Sequence, residues 1–149
     1  MYLVSLCLAG FNCRYDGKSK GNEGIIELIN QGKAIALCPE QLSGLCTPRL
    51  PCEIIIDERG NRKVIRQDGK DLTKEFIEGG NRVLSIAKAM GIKKAILKSK
   101  SPSCGCGLIY DGTFSGKTVP GNGITTEILI KNGIEVYTEE DIHKLSGKF

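Results

Sequence analysis

Apolar positions along this chain alternate between short continuous runs and helical spacing. Residues 1–8 form an apolar run that breaks at Ala9-Gly10, which predicts a strand followed by a polar loop over 12–22. Ile25, Ile26, Leu28 and Ile29 then fit a short helix ended by residues 30–32, and 34–38 is a second buried strand stopped by Pro39. Strand, helix and strand in that order make a βαβ unit with parallel strands. Residues 38–53 carry Pro39, Pro48, Pro51 and Gly44 and are expected to be a long ordered loop without regular structure. Runs at 54–57 and 63–66 flank Glu58-Arg59-Gly60-Asn61, a small β-hairpin. Residues 71–91 are the best-patterned helix: Phe76, Ile77, Val83, Leu84, Ile86, Ala87 and Met90 make its apolar stripe and Gly91 its stop. A third strand at 95–97, a helix at 124–132, a fourth strand at 134–137 and a closing helix at 139–145 complete the pattern.

Strands alternating with helices predict an α/β fold: a single domain over 1–149, three αβα layers, an open and mostly parallel Rossmann-like sheet, and a small β-hairpin insertion. In such sheets ligands bind beyond the carboxyl ends of the strands, near the topological switch point. The 149 residues, 40% hydrophobic and 26% charged, describe an ordinary soluble domain, with no apolar run long enough to span a membrane and no signal peptide over 1–10. A cytoplasmic protein is expected. A net charge of +4, with basic residues scattered, argues against duplex nucleic acid and for a small anionic ligand.

Seven cysteines and one His change the picture, since a reducing compartment disfavours disulfides. Cys7 ends the first strand, Cys38 ends the second, and Cys104 lies in the loop leaving the third, so a parallel sheet carries three thiols to one edge. Cys13 lies in the loop after the first strand and can approach the same place; Cys46, Cys52 and Cys106 have less positional logic. Isolated cysteines at strand ends are commonly just small buried apolar residues. Zinc is disfavoured, because there is no C-x2-C pair and His143 lies far along the chain. Iron-sulfur clusters take distant thiolates, and three ligands leave one iron open as a Lewis acid with a preference for soft sulfur.

Glu40, two residues beyond Cys38, is a candidate base for water, against the alternative of a solvated loop charge. Ser101 and Ser103 flank Pro102 beside Cys104 and are either site hydroxyls or turn formers. Arg14 and Tyr15, in Cys13-Arg14-Tyr15-Asp16-Gly17, suit a phosphate and a stacked base. Residues 112–118 imitate a P-loop but are one residue short, and Pro120-Gly121 blocks the helix that must follow.

Ser5-Leu6-Cys7-Leu8-Ala9-Gly10, Cys13-Arg14-Tyr15-Asp16-Gly17, Cys38-Pro39-Glu40, Thr47-Pro48-Arg49, Lys98 through Ser101-Pro102-Ser103-Cys104-Gly105, and Ile109-Tyr110-Asp111-Gly112-Thr113-Phe114-Ser115-Gly116 resemble the thiouracil desulfidase family over nearly the whole chain. The resemblance implies a 4Fe-4S cluster held by Cys7, Cys38 and Cys104, with Cys13 the alternative ligand, and one iron free to take sulfur. Glu40 and Ser101 become the catalytic pair. The implied reaction is hydrolytic, non-redox removal of sulfur from thiouracil or 4-thiouridine monophosphate, giving uracil or UMP and hydrosulfide. Arg14, Tyr15, Arg49, Lys98 and Ser103 are the expected substrate-binding residues, and Arg14, Lys18, Lys20, Arg49 and Lys98 together favour the nucleotide over the free base. A homodimer is compatible with these expectations. Two other classes compete: a sulfurtransferase with a persulfide on Cys104 or Cys106 and no iron, and a non-catalytic sensor whose cluster Cys13 closes.

Overall fold

The structure, a computed structural model, describes residues 1–145. Four parallel strands form the central sheet: β1 (Tyr2–Ser5), β2 (Ala34–Leu37), β5 (Lys94–Leu97) and β8 (Glu135–Thr138), in the spatial order β2-β1-β5-β8. The intervening elements are α1 (Glu23–Asn30), α2 (Pro39–Leu42), β3 (Cys52–Ile56), β4 (Arg62–Arg66), α3 (Thr73–Ala89), β6 (Leu108–Tyr110), β7 (Thr118–Pro120) and α4 (Ile124–Lys131). Every residue of β1 is buried, as a central parallel strand covered on both faces requires. Tyr2, Val4 and Ile96 pack toward Ile25 and Leu28 of α1, while Leu3, Ala95 and Leu97 pack toward Val83 and Ala87 of α3 and Leu129 of α4. Side-chain alternation thus divides the core between two helical layers.

One device returns the chain to the sheet three times. Gly32, Gly91 and Gly133 take left-handed φ of 69°, 66° and 79°. The residues after them, Lys33, Ile92 and Ile134, donate to Leu28, Ala87 and Leu129 at 2.8–3.0 Å. This is the Schellman stop, and each one delivers the next strand.

Two features depart from the sequence pattern. Residues 38–53 are not wholly irregular: Pro39 occupies the first turn of α2, where its missing N–H costs nothing and its fixed φ suits a helix, and Cys52 and Glu53 already belong to β3. The closing segment is a 3-10 helix, Glu139–Lys144, started by a Thr138/Asp141 capping box. The hairpin β3-β4 and a second one, β6-β7, are separate two-stranded sheets. A third apolar cluster, including Ile54, Val64, Phe76 and Ile109, joins them to α3. Among the described residues no helix is long and apolar enough to cross a membrane.

Candidate functional site

The order of connections reverses beside β1: the chain goes from β1 to β2 on one side and resumes at β5 on the other. The carboxyl ends of β1 and β5 therefore flank the switch point, where backbone layers part and leave a crevice. A cavity of about 590 Å³ opens there, a size suited to a small molecule. Cys7 sits in the 3-10 turn after β1, Cys38 caps α2 directly after β2, and Cys104 lies in the turn after β5. These three, Cys13, and also Glu40, Ser101, Ser103, Arg14, Tyr15, Arg49 and Lys98 all line the cavity. Cys52 lines it too, whereas Cys46, Cys106 and Lys18 do not.

All seven cysteines are free thiols. Interaction with Cys7 and Cys38, together with burial, pushes the Cys13 thiol far up, and the same interaction lowers Cys7 and Cys38. Cys38 comes down to about 7, chiefly through Cys13 and against the penalty of burial. Cys104 is pushed up to about 12 by burial, partly offset by bonds from the Ser5 and Ser103 hydroxyls. Soft thiols from three different strand ends on one cavity fit an iron-sulfur cluster in donor chemistry. Among the described residues no three His, Cys, Asp or Glu side chains converge on a point that would hold a single metal ion. Arg14 adds a further sign of an anionic occupant: its Nη1 is buried without a partner, while Nη2 stands 3.7 Å from Asp16.

Glu40 is held from both sides. Arg49 Nε donates to Oε1 at 3.1 Å and the Ser103 hydroxyl to Oε2 at 2.9 Å. The Cys104 sulfur, 3.6 Å from Ser103 Oγ, is the weaker claimant for the Ser103 proton. Ser101 Oγ accepts the backbone N–H groups of Ser103 and Cys104 at 3.2 and 3.1 Å and lies 3.0 Å from Ser103 Oγ. With its lone pairs so engaged, Ser101 points its own proton at Ser103. The result is a directed chain from Ser101 through Ser103 to Glu40.

The turn bearing these groups is clamped by close packing. A Cβ on Gly123 would meet the Ser103 carbonyl carbon at 2.5 Å and the Cys104 nitrogen at 2.8 Å, and one on Gly79 of α3 would meet the Pro39 carbonyl oxygen at 2.2 Å. Two cations expected to face a ligand are already engaged. Arg49 also donates to the Cys46 and Cys13 carbonyls and to Thr47 Oγ1, and Lys98 is paired with Glu139 and bonded to Ser99. Lys20 and Lys100 line the cavity and make no ion pair among the described residues. Ser5, Glu53, Lys100, Phe114 and Glu139 line the same cavity without having been picked out by the sequence pattern. Ser5, Lys100 and Phe114 lie inside the motifs that carry the resemblance, whereas Glu53 on β3 and Glu139 at the start of the closing 3-10 helix carried no local signature.

Residues 2–141 match the family model described as 2-thiouracil desulfurase. The chain is 41% identical, over 150 aligned positions, to the uncharacterized protein YbbK of Bacillus subtilis (strain 168), covering 97% of this chain and 99% of that one. It is also similar to the solved structure of the [4Fe-4S]-dependent thiouracil desulfidase TudS, with a TM-score of 0.88 and 41% identity over 97% of this chain and 94% of that chain. Likeness of that extent in sequence and backbone alike, joined to a thiol-lined cavity at the switch point, means that the chain belongs to the 2-thiouracil desulfurase family.

Proposed function

We propose that this protein is a 4Fe-4S-dependent desulfidase that hydrolyses the carbon-sulfur bond of a thiolated pyrimidine, with thiouracil the parent substrate. The observation that carries the reading is the Ser101–Ser103–Glu40 chain beside thiols from three strand ends on one cavity. Cys7, Cys38 and Cys104 are the residues that would hold the cluster, and the Cys13 thiol, kept protonated beside Cys7 and Cys38, has one proton to share with them. When bound through three thiolates, such a cluster supplies an open iron, a Lewis acid for soft sulfur. Glu40, fixed by Arg49 and Ser103, takes a proton from water, and the hydroxide formed attacks the ring carbon that bears sulfur. Once protonated, Glu40 becomes the donor and the hydroxyl chain reverses, so the proton passes through Ser103 to Ser101, which gives it to the departing sulfur as the tetrahedral adduct collapses. Overall, thiopyrimidine and water give the oxo-pyrimidine and hydrogen sulfide, with no electron gained or lost. Burial raises Cys106, which disfavours it as a persulfide-carrying nucleophile.

We favour a nucleotide as the physiological substrate, on Arg14 and Lys20 of the cations the sequence suggested, with Lys100 in place of Lys18, Arg49 and Lys98. Arg14 with its unpartnered Nη1, Lys20 and Lys100 supply the charge on the cavity wall. The test is sulfide release by anaerobically reconstituted protein from 4-thiouridine monophosphate, 4-thiouridine and 4-thiouracil. A higher kcat/KM for the monophosphate, lost in Arg14→Ala, is expected; equal values for all three would rule out a phosphate subsite.

A further inference from the structure

We propose that Phe114 is the face against which the planar ring of the substrate stacks, and that Glu53 is the positioning residue that holds it there; this rests on the thiolated-pyrimidine reading above. Phe114 lies at the tip of the β6-β7 hairpin and lines the cavity, yet it packs into none of the three apolar clusters. Its backbone has φ 56°, a left-handed conformation disfavoured for a bulky residue. Such strain persists only where surrounding structure imposes it.

That surrounding structure is identifiable. Glu53, 8% exposed on β3, accepts the backbone N–H groups of Gly112 at 2.9 Å and Phe114 at 3.2 Å on one carboxylate oxygen. A buried acid is thereby committed to the tip of a different hairpin. Gly112, at φ 92°, lets the tip approach closely: a Cβ there would lie 2.9 Å from the Ile54 carbonyl oxygen and 2.6 Å from Ile55 Cγ2. Within the tip, Asp111 accepts from Thr113, and the Thr113 and Ser115 hydroxyls are 2.6 Å apart. The tip is therefore built rigidly and presents one ring to the cavity.

Tyr15 is the other aromatic residue in reach that the sequence suggested for stacking, but the Arg14 guanidinium lies over its ring, 5.7 Å from the centroid. Among the described residues no cation lies over Phe114. Aromatic stacking suits a flat heteroaromatic ring and fixes its plane without a hydrogen-bond code, so the reacting carbon keeps its orientation toward Glu40.

The experiment uses Phe114→Leu and Phe114→Tyr holoenzymes and a Phe114→Trp protein, the last giving a unique indole because the chain has no Trp. With wild-type iron content, KM for 4-thiouracil should rise about tenfold or more in Phe114→Leu and stay within about threefold in Phe114→Tyr. Uracil should quench Phe114→Trp emission saturably, and adding Glu53→Ala should weaken that response. Wild-type KM in the Leu variant, or no emission change at uracil concentrations that inhibit sulfide release, would overturn the assignment. Failure of the functional reading is seen separately, as wild-type holoenzyme that releases no sulfide from any thiopyrimidine, with the uracil titration still reporting on Phe114.

Discussion

Replacing Arg49 by Lys separates charge from geometry at the Glu40 carboxylate. Arg49 has a side chain 8% exposed and donates to Glu40 at 3.1 Å, the Cys46 carbonyl at 3.1 Å, Thr47 Oγ1 at 2.9 Å and the Cys13 carbonyl at 3.0 Å. A Lys ammonium keeps the charge but has a single nitrogen and no planar fork. The Cys46 carbonyl is exposed and can turn to water, whereas the Cys13 carbonyl and the Glu40 carboxylate are partly buried. One weakened charge-assisted bond and one unpaired carbonyl, at about 1–2 kcal/mol each, give a loss of about 2–4 kcal/mol, or about 5–10 °C in Tm. Misorientation of the base by an ångström costs up to about 10²-fold. The variant should therefore lose about 10- to 100-fold in kcat for sulfide release, with KM within about twofold of wild type. A tenfold rise in KM for 4-thiouridine monophosphate at unchanged kcat would make Arg49 a phosphate ligand and refute its role in holding Glu40.

Other perturbations follow from the same geometry. Cys7→Ala, Cys38→Ala and Cys104→Ala should each lose reconstituted iron, while Cys13→Ser and Cys46→Ala keep it; iron retained in any of the first three removes that residue from the ligand set. Glu40→Gln should keep iron but lose about 10²-fold or more in sulfide release, and Ser103→Ala should fall in the same direction by breaking the link to Ser101. Gly123→Ala should destabilise the protein by about 1–3 kcal/mol in urea unfolding, since its Cβ would enter the Ser103–Cys104 backbone; unchanged stability would mean that the turn yields. Burial pushes the Glu139 carboxyl up, but Lys98 and the Ser99 N–H outweigh it and hold it below its ordinary value. Its stabilisation is thus complete above the usual carboxylate range and lost as pH falls through the folded value, so Glu139→Gln should flatten the acid side of a urea-midpoint profile.

The parallel sheet and the thiols at its edge were legible in the sequence because both depend on local order: apolar runs, helical stripes and residues that end strands. The partners of those thiols were not. Arg49 meets Glu40 across a turn, Ser103 reaches Glu40 from 63 residues away, and Glu53 meets the Phe114 amide across 61, and no periodicity encodes contacts between an element and a distant loop. Prolines in 38–53 hid α2 because the same residue that breaks a helix interior opens a helix well. The cations Arg49 and Lys98 looked available for a ligand because their acidic partners lie 9 and 41 residues further along or back.

We propose that this cavity assembles a cluster on three thiolates and uses it to desulfurate a pyrimidine. Anaerobic reconstitution, with iron and acid-labile sulfide counted per chain and sulfide release from 4-thiouracil followed in the same sample, tests it most directly. About four iron and four sulfide per chain are expected, with visible charge-transfer absorption and turnover that disappears when the cluster is removed by chelation. Equal turnover by iron-free protein would contradict it.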